Sequence, residues 1–117
     1  MTITAYRRGL LSEDRAARFL ESKNYRILHK RFKTSVGEID LIAEKAEELV
    51  FIEVKFRQDM TQALETLSAR QRQRILAAAK SFLAENPSFA DYFLRFDVVA
   101  LTPMFLQHIE NAFWQEG

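Results

Sequence analysis

Three residues near the middle of the chain carry the side chains that phosphodiester hydrolysis requires. Asp40 and Glu53 are acids in two neighbouring apolar segments, and Lys55 follows Glu53 by two residues. Paired carboxylates with few nitrogen or sulfur ligands nearby suit Mg²⁺ or Mn²⁺. An adjacent ammonium group can hold or deprotonate an attacking water, or neutralise charge that develops on a phosphate. These residue types predict a divalent-metal site for cutting phosphodiesters.

The register of a predicted hairpin decides whether the two acids meet. The segments Glu38 to Glu44 and Leu49 to Arg57 alternate as strands, and we expect a four-residue loop between them. This register places Asp40 directly across from Glu53, with Cβ atoms about 4.5–5.5 Å apart. A loop one residue longer or shorter would send the two acids to opposite faces of the sheet. The register that unites the acids also keeps the apolar face continuous.

A predicted helix from about Ser12 to Lys23 carries a fourth candidate residue. Ala16, Ala17 and Leu20 recur near helical spacing and form an apolar face. Glu13 lies on that same face, because it precedes these residues by three, four and seven positions. We expect its carboxylate to join the outer shell of the metal or to bind a second ion. A half-exposed helix acid without a ligand is the alternative.

The remaining pattern predicts a mixed sheet flanked by helices. Residues 25–32 are expected to form a strand before the hairpin, which gives a three-stranded antiparallel meander. A long helix then opens at Ser68, because Ser68 and Gln71 have the spacing of a capping box. A right-handed crossover through this helix places a fourth strand, residues 94–101, parallel to the third. We therefore predict an α/β fold with a single domain over residues 1–117.

Composition excludes several classes of protein. The 117 residues are 48% hydrophobic and 28% charged, which is ordinary for a globular domain. No apolar run approaches the roughly 20 residues that a membrane span needs, and charged residues interrupt the N-terminal segment, so a secretory signal is not expected. The lack of cysteine excludes a disulfide framework and a thiolate zinc site. We expect a cytoplasmic protein that does not contact a membrane.

Positive charge is concentrated in two segments, although the net charge is only +1. Residues 23–33 and 70–80 contain no acids, whereas acids gather between residues 38 and 53. This distribution suits a protein that grips phosphates around a metal site, although a solvated face accounts for either basic segment taken alone. The candidate phosphate contacts in these segments are Lys30, Arg31, Lys33, Arg70 and Arg72.

Two motifs connect the candidate residues to a known family. The segment GEIDLIA at residues 37–43, followed by VFIEVKFR at residues 50–57, resembles the bacterial YraN-like family. That family is similar to archaeal Holliday-junction resolvases within the PD-(D/E)xK nuclease superfamily, and the resemblance implies a restriction-endonuclease-like fold. The pairing of both motifs at this distance is specific, whereas either motif alone would be weak.

The resemblance also implies roles for individual positions. The implied metal ligands are the carboxylates of Asp40 and Glu53 and the backbone carbonyl of Val54. Arg57 matches a basic position after the second motif, where it would contact a phosphate. Gln71 stands where the family often has a lysine, which puts one phosphate or site contact in doubt. The positions that match the family's catalytic residues are Glu13, Asp40, Glu53 and Lys55.

Three functions remain open at the level of sequence. The first is a Mg²⁺- or Mn²⁺-dependent endonuclease acting on DNA, and the resolvase similarity suggests a branched or repair-type substrate. A homodimer would suit such a substrate by analogy. The second is a nucleic-acid-binding accessory protein with the same fold and no significant turnover. The third is a scaffold for another protein, in which Asp40, Glu53 and Lys55 form a buried ion-pair cluster.

Overall fold

The computed structural model describes residues 4–65 and 67–112, which form one five-stranded mixed sheet. The strands β1 to β3 form an antiparallel meander, β4 runs parallel to β3, and β5 is antiparallel to β4. The predicted α/β architecture is confirmed, and β5 forms the edge of the sheet next to β4. In chain order, which is also the order across the sheet, the strands are β1 (Arg26–Lys33), β2 (Glu38–Lys45), β3 (Glu48–Phe56), β4 (Phe93–Leu101) and β5 (Leu106–Ile109).

Helices cover both faces of this sheet. α1 packs on one face, where its Ala16 and Leu20 join the same apolar cluster as Ile52 of β3. The third helix packs on the other face, where Phe82 joins the cluster of Phe51. None of the helices in the described ranges has the length and apolarity to cross a membrane. The helices are α1 (Ala5–Ser22), α2 (Met60–Ala63) and α3 (Ala69–Glu85).

The β2–β3 hairpin has the predicted register and a tighter turn than predicted. Lys45 pairs with Glu48, so the turn consists of two residues, Ala46 and Glu47. Both have positive φ values, 49° and 64°, as a type I′ turn requires. The predicted four-residue loop is therefore wrong. The register is nevertheless the predicted one, because each strand extends towards the turn by one residue and the pairing of the others is unchanged.

Helix α1 begins at Ala5 and not near Ser12. Thr4 caps it, since the Thr4 Oγ1 accepts a hydrogen bond from the backbone N–H of Arg7 at 3.1 Å. Its end agrees with the prediction, with Asn24 in the left-handed region at a φ of 73°. The early turns lack a buried apolar stripe, so hydrophobic periodicity does not reveal them. They nevertheless form one wall of the site described below.

The start of α3 lies directly against the start of β2. The predicted capping box is present, because Ser68 and Gln71 each accept a hydrogen bond from the backbone of the other at 3.1 Å. A Cβ atom on Gly37 would lie only 2.0 Å from the backbone oxygen of Arg74. Only glycine permits this approach, which brings the first turns of α3 beside the acids of β2.

Strand β2 is irregular at Asp40. A regular strand would place Ile39 on the face of Leu41, but Ile39 belongs to the apolar cluster of Ile42. The ladder between β2 and β3 ends at Leu41. On the other side, at the level of Asp40, Arg31 of β1 has a φ of 53°, which is uncommon for a residue other than glycine. At Asp40, β2 thus has no regular pair on either side, whereas β1 pairs with it again at Phe32 and β3 stays paired with β4.

Candidate active site

Asp40 and Glu53 line the same cleft, as the predicted register requires. The cleft has a volume of about 500 Å³ and lies between α1 and the end of β3. Glu13 of α1 and Val54 of β3 also line it. The structure therefore brings together three of the four residues predicted to be catalytic, and all three positions implied as metal ligands.

The two acids are also accessible from the side of α3. A second cavity of about 180 Å³ is lined by Asp40 and Glu53 together with Glu38, Gln71 and Arg74. The acid pair consequently separates two polar cavities, one beside α1 and one beside α3. Gln71 both caps α3 and contributes to this second cavity.

The carboxylate of Asp40 is oriented by the backbone of the next strand. Its Oδ2 accepts a hydrogen bond from the N–H of Val54 at 2.8 Å. This N–H lies just beyond the end of the β2–β3 ladder, so the side chain takes the place of a strand carbonyl. The carboxyl groups of Glu13 and Glu53 both lie within hydrogen-bonding reach of Asp40. Asp40 is therefore the centre of the acidic group.

Two of these acids have strongly raised pKa values. Burial raises the pKa of Glu53 to about 9, and the negative charge of Asp40 adds to the effect. Burial and Asp40 likewise raise the pKa of Glu13 to about 7, although the guanidinium of Arg31 opposes the shift. At neutral pH Glu53 holds a proton and Glu13 is partly protonated. A divalent cation would displace these protons, because it stabilises the ionised carboxylates.

The donor set fits a hard cation that keeps part of its water shell. Two carboxylates and one backbone carbonyl offer only oxygen ligands, which suit Mg²⁺ or Mn²⁺. Within residues 4–65 and 67–112, no group of three or more His, Cys, Asp or Glu side chains is placed to hold a metal ion. An ion at Asp40 and Glu53 would thus complete its coordination with waters or phosphate oxygens, as Mg²⁺ usually does.

Lys55 lies away from both cavities. Its side chain is buried, and its Nζ donates a hydrogen bond to the backbone oxygen of Glu65 at 2.6 Å. Burial lowers the pKa of Lys55, and the nearby Arg57 lowers it further. No salt bridge in the described part of the chain joins Lys55 to Asp40 or Glu53. The buried ion-pair cluster on which the scaffold interpretation depends therefore does not form.

The predicted phosphate contacts fall into three groups. Lys30 and Arg31 are paired with acids of α1: Lys30 Nζ lies 3.1 Å from Asp14, and Arg31 lies 3.5 Å from Glu13. Arg57 lines the larger cleft. The remaining candidates lie outside the two cavities that Asp40 and Glu53 line, and these are Lys33, Arg70 and Arg72.

Sequence reasoning missed two arginines that line the cavities. Arg8 borders the larger cleft and Arg74 the smaller one. Arg8 was missed because α1 was expected to begin at Ser12, although Thr4 is a suitable N-cap for an earlier start. Arg74 lies within a predicted basic segment, and its spacing of three residues from Gln71 places both on one face of α3.

Another buried acid, Asp97 of β4, has a very different environment. Asp97 is fully buried and accepts hydrogen bonds from Arg95 at 2.9 Å, from His108 at 2.7 Å and from the backbone N–H of Asn111 at 2.8 Å. Burial alone would raise its pKa, but the hydrogen bonds from His108 and Arg95 hold it below the ordinary value. Arg95 also donates to the hydroxyl of Tyr25. This network is a compensated structural cluster.

Comparison with known proteins shows the family of the chain. The model of the uncharacterised protein family UPF0102 matches residues 12–101. A UPF0102 protein of Azorhizobium caulinodans is 48% identical over 114 residues, which cover 97% of this chain and 87% of the relative. A UPF0102 protein of Rhodopseudomonas palustris is 46% identical over 112 residues, covering 95% and 86%. The predicted resemblance to the YraN-like family is confirmed, and the chain belongs to the UPF0102 family.

Proposed function

We propose that this protein is a Mg²⁺- or Mn²⁺-dependent nuclease that hydrolyses phosphodiester bonds in DNA. The observation that carries the proposal is the convergence of Asp40 and Glu53 in one cleft, where the charge of Asp40 helps to raise the pKa of Glu53. In the described part of the chain, neither acid forms a salt bridge. Two half-buried acids in one cleft repel each other unless a cation or a shared proton lies between them.

The residues of the cleft have separate roles in the proposed reaction. Asp40, Glu53 and the carbonyl of Val54 would hold the ion, which polarises the phosphate and lowers the pKa of a bound water. The N–H of Val54 fixes the orientation of the Asp40 carboxylate. With a pKa of about 7, Glu13 can take up a proton at its carboxylate near neutral pH.

The ammonium of Lys55 forms no salt bridge with the acids in the described part of the chain, although its charge lowers the pKa of Glu53. Its hydrogen bond to the Glu65 carbonyl, at 2.6 Å, ties it to the segment between α2 and α3. We propose that the ammonium turns from the Glu65 carbonyl towards the phosphate when substrate binds. The exposed cations Lys33 and Arg70 would contact more distant phosphates, so DNA affinity should fall steeply with salt.

A cleavage assay tests the proposed function. Wild type and Asp40→Asn would be incubated with labelled duplex, single-stranded and four-way-junction DNA, in Mg²⁺, Mn²⁺ or EDTA. Asparagine retains an oxygen that can accept the Val54 hydrogen bond, so the fold should persist. We expect metal-dependent cleavage by wild type and a loss of at least 100-fold in the variant. Asp14→Asn is the matched control, because Asp14 is an acid of α1 that is paired with Lys30, and it should cleave normally.

The second candidate is a DNA-binding accessory protein without turnover. The position of Lys55 favours it, since the ammonium is held by the carbonyl of Glu65 and Lys55 lines neither cavity of the acid pair. This candidate predicts that wild type and Asp40→Asn bind DNA equally and that neither cleaves any of the substrates. Cleavage by wild type that EDTA abolishes would exclude it.

A further inference from the structure

The larger cleft has more room than the acids and a metal need. An ion with four waters occupies roughly 120 Å³, at about 30 Å³ for each water. The cleft has about 500 Å³, so most of it remains for another group. Its additional walls are the first turns of α1 and the residues after β3, with Arg8, Gly9, Arg57 and Gln58 among the lining residues.

Two arginines in these walls form no salt bridge with the residues that the structure describes. Arg26, Arg31 and Arg95 each form a salt bridge with a carboxylate. In the described ranges, Arg8 and Arg57 form none. Arg57 donates one hydrogen bond, from its NH1 to the carbonyl of Phe56 at 2.8 Å. Both side chains are exposed, and their remaining N–H groups are available to an anion.

We propose that the α1 side of the cleft, between Arg8 and Arg57, binds the backbone phosphate next to the one that reacts. This inference rests on the proposed function and specifies how the site holds its substrate. Guanidinium groups bind phosphate oxygens through paired, charge-assisted hydrogen bonds. The neighbouring acids repel a phosphate unless a metal lies between them. The arginines therefore fix the strand at one nucleotide while the metal site contacts the adjoining one.

Gly9 provides a way to test the cleft without disturbing the fold. It lies within α1 and lines the cleft, and a Cβ atom built on it meets no atom within 4 Å. A side chain at this position would enter the space proposed for the phosphate. Lysine and glutamate both have better helix propensities than glycine, so substitution should not weaken α1.

Two variants of similar size and opposite charge, Gly9→Glu and Gly9→Lys, form the central comparison. Binding of a short fluorescein-labelled DNA duplex would be measured by anisotropy in Ca²⁺, which occupies oxygen-ligand sites. We expect Gly9→Glu to bind at least tenfold more weakly than Gly9→Lys, and Gly9→Lys to remain within about threefold of wild type, because a negative charge repels the phosphate. Equal affinities for the two variants, whether both normal or both reduced, would overturn the proposal.

A salt titration tests Arg8 itself. Losing one phosphate contact lowers the slope of log affinity against log salt by about 0.9 on duplex DNA. We expect this change in Arg8→Gln and no change in Arg18→Gln, since Arg18 is an exposed residue of α1 that lines neither cavity of the acid pair. An unchanged slope in Arg8→Gln would show that Arg8 does not contact a phosphate.

Parallel cleavage assays separate this proposal from the proposed function. If wild type cleaves DNA in Mg²⁺ but the charge at position 9 has no effect on binding, the phosphate-binding proposal is wrong and the nuclease proposal is supported. If no DNA is cleaved but Gly9→Glu binds far more weakly than Gly9→Lys, the phosphate-binding proposal is supported and the nuclease proposal is wrong.

Discussion

Asp97 on β4 and Asp40 on β2 lie on either side of the central strand β3, yet they differ in whether cationic side chains contact the carboxylate. Asp97 accepts hydrogen bonds from Arg95 and His108, and its pKa is lowered. Asp40 accepts one from the backbone of Val54, and its acidic neighbour Glu53 has a pKa raised to about 9. The same sheet thus supports one acid with cationic partners and a pair of acids without them.

The difference shows that this fold can place cationic partners around a buried carboxylate, as it does at Asp97. Asp97 has both a guanidinium and an imidazole within hydrogen-bonding distance. At the cleft, the nearest paired cation is Arg31, which contacts Glu13 at 3.5 Å, and Lys55 is held by Glu65 instead. In the described part of the chain, Asp40 and Glu53 thus form no salt bridge, and the proposed metal would supply positive charge at this site.

The largest effect is expected at the compensated acid. Asp97→Ala removes the buried carboxylate that joins Arg95, His108 and the Asn111 N–H, and leaves Arg95 to its more exposed partners Glu48 and Glu110. Removing one member of a buried ion pair typically costs 3–5 kcal/mol, and we expect a loss of about that size in the free energy of unfolding. Urea denaturation measures it. Asp14→Ala, which removes an exposed partner of Lys30, should cost at most about 1 kcal/mol. Equal losses in the two variants would contradict the comparison.

An effect of opposite sign is expected at Glu53. Its folded pKa of about 9 lies above the ordinary 4.5, so the folded protein binds a proton that the unfolded chain releases. The stabilisation is complete below pH 4.5 and is lost as the pH rises towards 9. Glu53→Gln removes this loss and should raise the metal-free stability by roughly 1–3 kcal/mol at alkaline pH.

Denaturation in EDTA at several pH values measures the effect of Glu53→Gln. The gain should shrink towards zero as the pH falls to 4.5, where wild-type Glu53 is protonated in both states. A variant that is less stable than wild type throughout this range would show that Glu53 is a compensated structural acid.

The smallest effect is expected at Glu13, which has one partial partner. Arg31 opposes the rise in its pKa, which reaches only about 7. Stability is therefore lost between pH 4.5 and 7, and Glu13→Gln should gain no more than about 1 kcal/mol above neutral pH. The same denaturation series measures it, with Asp14→Asn as the neighbouring control. If Glu13→Gln gained more free energy of unfolding than Glu53→Gln, Glu13 would be the acid with less compensation of its charge, contrary to this prediction.

Sequence alone was sufficient where the signal was local. The alternation of β2 and β3 gave the correct register, and Ser68 with Gln71 marked the start of α3. Hydrophobic pattern gave the mixed sheet with a parallel fourth strand. These features depend on residue period and capping chemistry, which a single sequence contains.

The features that sequence did not reveal depend on contacts between distant elements. Lys55 shares a strand with Glu53, but its ammonium is captured by a carbonyl ten residues later in the chain. Arg8 lies on an exposed part of α1 that has no apolar stripe. The left-handed conformation of Arg31 has no local signal such as glycine. DNA as substrate, the divalent metal, a homodimer and a cytoplasmic location stay predictions.

Titration calorimetry of Mn²⁺ binding tests most directly whether Asp40 and Glu53 form a metal site. The titration would be run in two buffers that differ in ionisation enthalpy. Slightly above neutral pH, Glu53 carries a proton in the metal-free protein, and a metal must displace it. We expect wild type to bind Mn²⁺ and to release about one proton, whereas Glu53→Gln should bind more weakly and release fewer. Absence of binding by wild type, or binding without proton release that Glu53→Gln reproduces, would contradict the assignment of Asp40 and Glu53 as a metal site.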